Sequence, residues 1–261
     1  QTGAFDTAFP QTILDENYLY PVPYEWCEKY KVRKYGAHGT SHKYVAYRMN
    51  EILGRYNTKL ITCHIGNGAS ISAVLNGKCI DTTMGYTPLE GVMMGSRSGD
   101  VDPSILERIM GETGMTIKEA INYLNKKSGL GGVSCISDDM RDLEEIAFSD
   151  EQSERADDCR LALNMHAYRV KKYIGSYYAA LGTVDAICFT AGVGENGCEY
   201  RESVLTGLEG MGIVLDKDKN LTNFKRGEVN VISAADSKVK IYVIPTDEEQ
   251  MIAKDTERLT K

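Results

Sequence analysis

No C-x-x-C pair occurs among the seven cysteines, which are odd in number and scattered from Cys27 to Cys198. That spacing argues against a disulfide framework or a zinc site and for reduced thiols in a cytosolic protein. No apolar run approaches the length of a membrane span, and the N-terminus lacks the basic-then-apolar pattern of a secretory leader. A formal net charge of −7 argues against a nucleic-acid groove or an anionic membrane surface. No fixed-period repeat and no low-complexity linker occurs. What remains is a cytoplasmic globular chain of 261 residues, 42% hydrophobic, long enough for one large domain or two small ones, with small molecules as its partners.

The stretch from His64 to Pro103 is the richest in chemistry. It follows an apolar run, Leu60 to Cys63, and contains His64-Ile-Gly-Asn-Gly68 and Met94-Gly-Ser-Arg-Ser-Gly-Asp-Val-Asp-Pro103. Glycines, small hydroxyls and the single Arg97 are the ingredients of a backbone cradle for phosphate with one fixed positive charge beside it.

Around it the pattern alternates between strands and helices. Gly3 to Phe9 reads as the end of a strand entering a loop, and because the chain opens at Gln1 without a methionine, a missing start is expected. Pro10, Pro21 and Pro23 predict an extended loop. Tyr35-Gly-Ala-His-Gly-Thr-Ser-His42 leads into a helix over 43–53, capped by Thr40 or Ser41, with Val45, Met49, Ile52 and Leu53 on one face. Residues 59–82 read as a hairpin around Asn76-Gly77. Helices are expected over 104–110, over 117–127 with Gly129 as its stop, from Ser137 through Arg141, and over 153–178 as the longest. A buried strand over 184–190 then meets Ala191-Gly-Val-Gly-Glu-Asn-Gly197, a glycine turn opening a helix near 199–208, which is an anion-binding arrangement. The tail repeats strand-to-helix, with Thr246 and Glu249 fitting a capping box.

Taken in order, Phe5-Asp-Thr-Ala-Phe9, Tyr35-Gly-Ala-His-Gly-Thr-Ser-His42, His64-Ile-Gly-Asn-Gly68, Met94 to Pro103, Gly192-Val-Gly-Glu-Asn196 and Pro245-Thr-Asp-Glu-Glu249 resemble the acetate kinase family. The resemblance covers nearly the whole chain but only the later part of the family pattern. It implies an α/β fold of the actin/hexokinase-like (ribonuclease H-like) kinase type, mainly its second domain, with the first domain largely missing. Residues 1–9 would be a remnant of that first domain, 10–246 the second, nucleotide-binding and dimerising domain, and 247–261 a helix returning to the first. It also implies a homodimer, Mg²⁺ or Mn²⁺, ATP/ADP as co-substrate, and acetate and acetyl phosphate as the substrate pair.

Phosphoryl transfer asks a protein mostly to position reactants and to stabilise charge on the transferring group. By resemblance the catalytic set is Asp6, His38 and Arg97; each also has a plain reading, as a turn or cap, as half of a His38-x-x-x-His42 pair, or as a solvated surface arginine. A zinc role for that histidine pair lacks a nearby third ligand, and His42 reads as a capping or packing histidine. His64, Gly66, Asn67 and Gly68 would hold nucleotide phosphates, although Gly-Asn-Gly also makes an ordinary hairpin turn. Asp139, Met140 and Arg141, with Gly192, Val193, Gly194, Glu195 and Asn196, would line the nucleoside side. Glu248 would be the magnesium-side carboxylate, since Glu249 is occupied as a cap. Two departures from the family pattern, Pro10 in place of a frequent histidine and Ala37 in place of a frequent phenylalanine, would shift acyl preference toward propionate or butyrate. A non-catalytic nucleotide-binding or dimerisation module is the reading from another class.

Overall fold

The computed structural model describes residues 3–149, 155–222 and 224–261. A six-stranded sheet forms its middle layer, from strands β1 (Lys59–Ile65), β2 (Ala69–Leu75), β3 (Lys78–Thr82), β4 (Ala186–Thr190), β5 (Asn230–Val231) and β6 (Lys240–Val243), in the order β3-β2-β1-β4-β6-β5. The first three form an antiparallel meander, β1, β4 and β6 run parallel, and β5 is antiparallel to β6. Asn76 and Gly77 both take positive φ, 52° and 74°, as a two-residue turn with the twist of its flanking strands demands. The fully buried Ala186-Ile-Cys-Phe-Thr190 run sits in the parallel centre of the sheet, where both faces are covered.

Side-chain alternation sorts the two faces. Ile61, Cys63, Ile65, Ile71, Ile187 and Phe189 point into the larger core beneath the Ala156–Leu181 helix, where Val170, Ile174 and Tyr177 meet them. Leu60, Val74, Ala186 and Cys188 point the other way, against Val45 and Met49 of the Gly39–Leu53 helix. Truncating Met49 or Leu60 to Ala would cost about 2–5 kcal/mol, the range for fully buried aliphatic side chains. The even-numbered face of β1 and β2 changes character toward one end: beyond Leu60 it carries Thr62 and His64, and across from them Ser72 and Ser70. That polar end of an otherwise apolar face is where the candidate site lies. The Glu248–Thr260 helix closes over this layer, burying Met251 and pairing Asp255 with Lys43.

Several boundaries differ from the sequence expectations. Residues 3–5 form no strand, and the proline-rich segment holds a 3-10 turn, Phe9–Thr12, and the helices Asp15–Tyr18 and Tyr24–Tyr30. The helix expected from Lys43 begins at Gly39, with neither Thr40 nor Ser41 as its cap, and Ile52 is exposed rather than on the buried face. Gly129 does not stop the Ile117–Lys126 helix; it opens the Gly129–Ser134 helix at φ +65°, where a Cβ would fall 2.2 Å from the Met94 carbonyl oxygen. Asp139, not Ser137, caps the Met140–Ala147 helix, accepting from the Arg141 amide at 2.9 Å. The longest helix is Ala156–Leu181; its expected start at Ser153 lies outside the described residues. Ala191–Asn196 is itself helical, followed directly by the Cys198–Leu205 helix. Asp247 caps the last helix by accepting from Gln250, so the Thr246–Glu249 box is not made; the Thr116–Glu119 pair makes one instead.

Candidate active site

The site is assembled at the end of the sheet where the Gly39–Leu53 helix begins. Asp6 reaches that helix from the N-terminal segment: its Oδ2 accepts from the His38 amide at 2.6 Å, its Oδ1 from the Thr40 amide at 3.4 Å, and its carbonyl from the Gly39 amide at 2.9 Å. Helix N-termini present unpaired N–H groups and positive potential, which a carboxylate satisfies. Gly39 has to be glycine, because a Cβ there would fall 2.1 Å from the Asp6 carbonyl oxygen. Pro10 packs on the same turn, 3.1 Å from that Cβ position and 2.8 Å from the one at Gly36.

Three of the four histidines gather here. His38 and His64 stack with ring centroids 4.1 Å apart, and His42 meets His64 edge-on at 6.2 Å. His38 Nδ1 lies 2.8 Å from Ser70 Oγ, and His64 Nδ1 lies 2.8 Å from Ser41 Oγ, which lies 2.9 Å from Thr246 Oγ1. Burial pushes all three below the ordinary histidine value, His64 to about 3; neighbouring imidazoles add to this for His42 and His64, and for His38 the Asp6 charge opposes it while Arg97 adds to it. At neutral pH these rings carry no charge.

The tight loop between β1 and β2 faces them. A Cβ on Gly68 would sit 3.3 Å from His38 Nε2 and 3.8 Å from Arg97 Nη1, so the imidazole, the guanidinium and the bare backbone of Gly68 converge on one spot. Arg97 is held from behind by donating to the Pro88 carbonyl at 3.1 Å, on a segment zipped to its neighbour by the Ser128-to-Ser96, Leu130-to-Met94 and Gly131-to-Gly95 backbone bonds. No carboxylate forms an ion pair with Arg97 among the described residues. A fixed guanidinium with free N–H donors beside a neutral histidine is a site for an anion.

A cavity of about 700 Å³ adjoins this spot. Of the residues expected on the nucleotide side, Gly66, Asn67, Asp139, Met140 and Arg141 line it from one side of the sequence, and Gly192, Val193 and Asn196 from the other. Gly194 and Glu195 do not line it. Gly194 packs against β1, 3.6 Å from the Cys63 carbonyl oxygen by its Cβ position, and Glu195 Oε1 instead accepts from the amides of Ala191 at 2.9 Å and Thr246 at 3.1 Å. The cavity also takes in Gly95, Leu130, Asp138, Glu144, Gly197 and Arg226. Gly95 belongs to the motif already singled out; Glu144 and Arg226 carry no local signal, because only the fold brings them there.

Glu248 is half-buried, and its carboxyl is pushed above the usual range by burial and by the negative charge of Asp6. Two carboxylates close enough for the charge of Asp6 to act on Glu248, beside an anion site, are the donor set a divalent cation takes when phosphate oxygens and water complete its shell. The residues present therefore fit a magnesium-type ion. Ala37 is nearly buried among the larger core cluster, so its small side chain is a packing feature.

A family model described as the Acetokinase family matches residues 1–254. The chain belongs to the acetokinase family. Similar acetokinases include the acetate kinase of Thermoanaerobacterium thermosaccharolyticum, 58% identical over 99% of this chain and 64% of that protein, and the acetate kinase of Thermoanaerobacter pseudethanolicus, 60% identical over 99% and 63%. Among solved structures, Porphyromonas gingivalis acetate kinase superposes with a TM-score of 0.93 at 49% identity, covering 99% of this chain and 64% of that one. A propionate kinase from Francisella tularensis superposes at 0.88 with 42% identity over 96% and 62%. The architecture is thus the acetokinase variant of the actin/hexokinase-like fold, and the chain spans about 64% of the length of the curated acetokinases it matches.

Proposed function

We propose that the protein of which these residues form the larger part transfers a phosphoryl group reversibly between ATP and acetate, giving acetyl phosphate. The observation that carries this reading is the convergence of His38 Nε2, Arg97 Nη1 and the backbone of Gly68 on one spot beside the 700 Å³ cavity. A nucleotide lying along Asp139 to Arg141 and along Gly192, Val193 and Asn196, with its phosphates on the Gly66 to Gly68 loop, directs its terminal phosphoryl group to that spot.

Catalysis then rests on placement and charge. Arg97 and the neutral His38 donate to the oxygens of the transferring group, where negative charge is spread in the transition state. The carboxylate acceptor is already an anion at neutral pH and needs no general base, so Asp6 organises rather than deprotonates: it fixes the start of the Gly39–Leu53 helix and, with Glu248, supplies the carboxylates for Mg²⁺ or Mn²⁺. When bound, that ion neutralises phosphate charge.

The remaining parts of the reading follow the family. Residues 1–9 and 247–261 belong with a first domain, supported by a second cavity, about 360 Å³, that Phe5, Phe9, Ile252 and Leu259 line together. The protein is a cytoplasmic homodimer, and the 261 residues alone turn over little. No helix among the described residues is long and apolar enough to cross a membrane.

Hydroxamate trapping of acetyl phosphate, on a protein of complete acetokinase length, tests the assignment; absence of trapped product with ATP, magnesium and acetate would sink it. The Francisella relative named as a propionate kinase supports a second reading, propionate or butyrate as acceptor. A panel of short carboxylates ranked by kcat/KM separates the two.

A further inference from the structure

Behind His38 runs a line of buried groups that the proposed chemistry does not use. Ser70 Oγ lies 2.8 Å from His38 Nδ1 and 2.7 Å from His42 Nε2, and His42 Nδ1 lies 2.7 Å from Thr62 Oγ1. His42, Ser70 and Thr62 are fully buried, so no solvent enters the line. Each hydroxyl has one proton to give, and a neutral imidazole donates from one nitrogen and accepts at the other. Among the described residues the Ser70 hydroxyl has no side-chain or backbone partner besides these two imidazoles, so its proton goes to one of them, and the four groups then share a single polarity.

Two polarities exist. In the inward one His38 Nδ1 donates to Ser70, Ser70 to His42, and His42 to Thr62, leaving His38 Nε2 a bare acceptor facing the site. The Thr62 proton must then go to the Ser72 carbonyl, 3.4 Å away. In the outward one Thr62 donates to His42 Nδ1, His42 Nε2–H to Ser70, and Ser70 to His38 Nδ1, so every bond in the line spans 2.7 or 2.8 Å. Hydroxyl donors favour separations near 2.7–2.8 Å, and a 3.4 Å contact keeps little of that strength. The outward polarity also places a donor on Nε2, next to Arg97 Nη1.

We propose that Thr62, His42 and Ser70 form a positioning relay that fixes His38 in its Nε2–H tautomer, so that a neutral imidazole presents a donor to the anion held by Arg97. The purpose assigned to that donor rests on the kinase reading; the tautomer itself does not. Holding a histidine neutral and using it as a hydrogen-bond donor avoids the reorganisation that charging a buried ring would require. The relay also accounts for His42, which sequence reading leaves as capping or packing: a buried imidazole with a partner on both nitrogens transmits a proton preference as well as filling space.

Two-bond ¹H–¹⁵N correlation spectra of this 261-residue chain, with ¹⁵N-labelled histidine at neutral pH, read the tautomer directly. The expected pattern for His38 is a pyrrole-type Nε2 and a pyridine-type Nδ1; a proton on Nδ1 in the unsubstituted chain overturns the proposal, whatever any variant does. Thr62→Val removes the proton at the head of the line, and the His38 pattern should move toward Nδ1–H although Thr62 and His38 are not in contact, whereas Thr62→Ser keeps the original pattern. An unmoved His38 in a folded Thr62→Val chain also overturns it. In a protein of complete acetokinase length, Thr62→Val should lower kcat about tenfold with the KM for ATP within about twofold, since the lost donor acts on the transition state. An unchanged kcat beside a shifted tautomer overturns the catalytic purpose. If that longer protein phosphorylates no short carboxylate while His38 still shows Nε2–H, the kinase reading fails and the relay stands.

Discussion

Asp6 Oδ2 lies 2.6 Å from the amide nitrogen of His38, the residue at which the chain turns, at φ 55°, into the Gly39–Leu53 helix. One carboxylate thereby does the work of a helix cap from 32 residues away and sets the backbone from which His38 projects. Asp6→Ala should cost about 1–2 kcal/mol of stability, the range for losing an N-cap, and Asp6→Asn less, because the amide oxygen still accepts. Gly39→Ala should be worse than either, since its Cβ has no room beside the Asp6 carbonyl. Thermal unfolding of the three variants gives the order; Gly39→Ala matching the parent would show that the turn can relax.

Arg97 is held only by neutral groups, the Pro88 carbonyl and Met94 Sδ, so its charge is uncompensated by any ion pair among the described residues. Arg97→Ala should lower kcat by about a hundredfold or more, as removal of a preorganised transition-state donor does, while leaving folding stability within about 0.5 kcal/mol, as for most partly exposed substitutions. Arg97→Lys should recover only part of the rate, because an ammonium lacks the planar fork. Steady-state kinetics and a melting curve on the same preparations decide between a catalytic role and a structural one.

Much of this arrangement is legible before folding is considered. The Asn76-Gly77 turn and the apolar 184–190 run are local signals; the turn lands where its pattern places it, and the run holds the Ala186–Thr190 strand. Caps fail more often. Thr40, Ser137 and Thr246 each have the right hydroxyl for the job, but other groups take it or draw it away: Asp6 caps from another segment, Asp139 lies two residues nearer its helix, and Thr246 Oγ1 pairs with Ser41. Glu195 misleads for the same reason, since a motif position says nothing about which way a carboxylate turns. Glu144 and Arg226 reach the cavity only through long-range packing, for which no spacing rule exists.

The buried histidines make the fold sensitive to acid. His64 is held down to about 3 and His166, buried beside the Tyr200 hydroxyl, to about 4, both from an ordinary 6.5 and both chiefly by burial. Well above pH 6.5 these rings are neutral whether folded or unfolded and contribute no pH dependence. Below it the unfolded chain takes up protons that the folded chain refuses, so stability falls as pH drops from about 6.5 toward 3 to 4. At pH 5 the loss is about 2 kcal/mol for each such ring. His166→Gln should flatten the denaturant-midpoint curve between pH 7 and 5; an equally steep curve would mean that carboxylates account for it.

Glu195 ties two segments together near the cavity wall. Its Oε1 receives the amides of Ala191 and Thr246, at the head of the Ala191–Asn196 helix and just before the last helix. Ala191 needs that tether, because it sits at φ 66°, where an alanine costs about 1–2 kcal/mol relative to the right-handed region. Glu195→Ala leaves both amides without their acceptor and frees the strained turn, so Gly192, Val193 and Asn196 lose their fixed place on the cavity. Stability should fall by about 1–3 kcal/mol, the cost of leaving such groups unpaired, and ATP affinity should fall with it. Ala191→Gly removes the strain at its source and, made in the Glu195→Ala background, should recover part of both losses. Calorimetric ATP titration of the single and double variants measures this; affinity that drops in Glu195→Ala and is not recovered by Ala191→Gly would place Glu195 on the nucleotide itself, as its motif position first suggests.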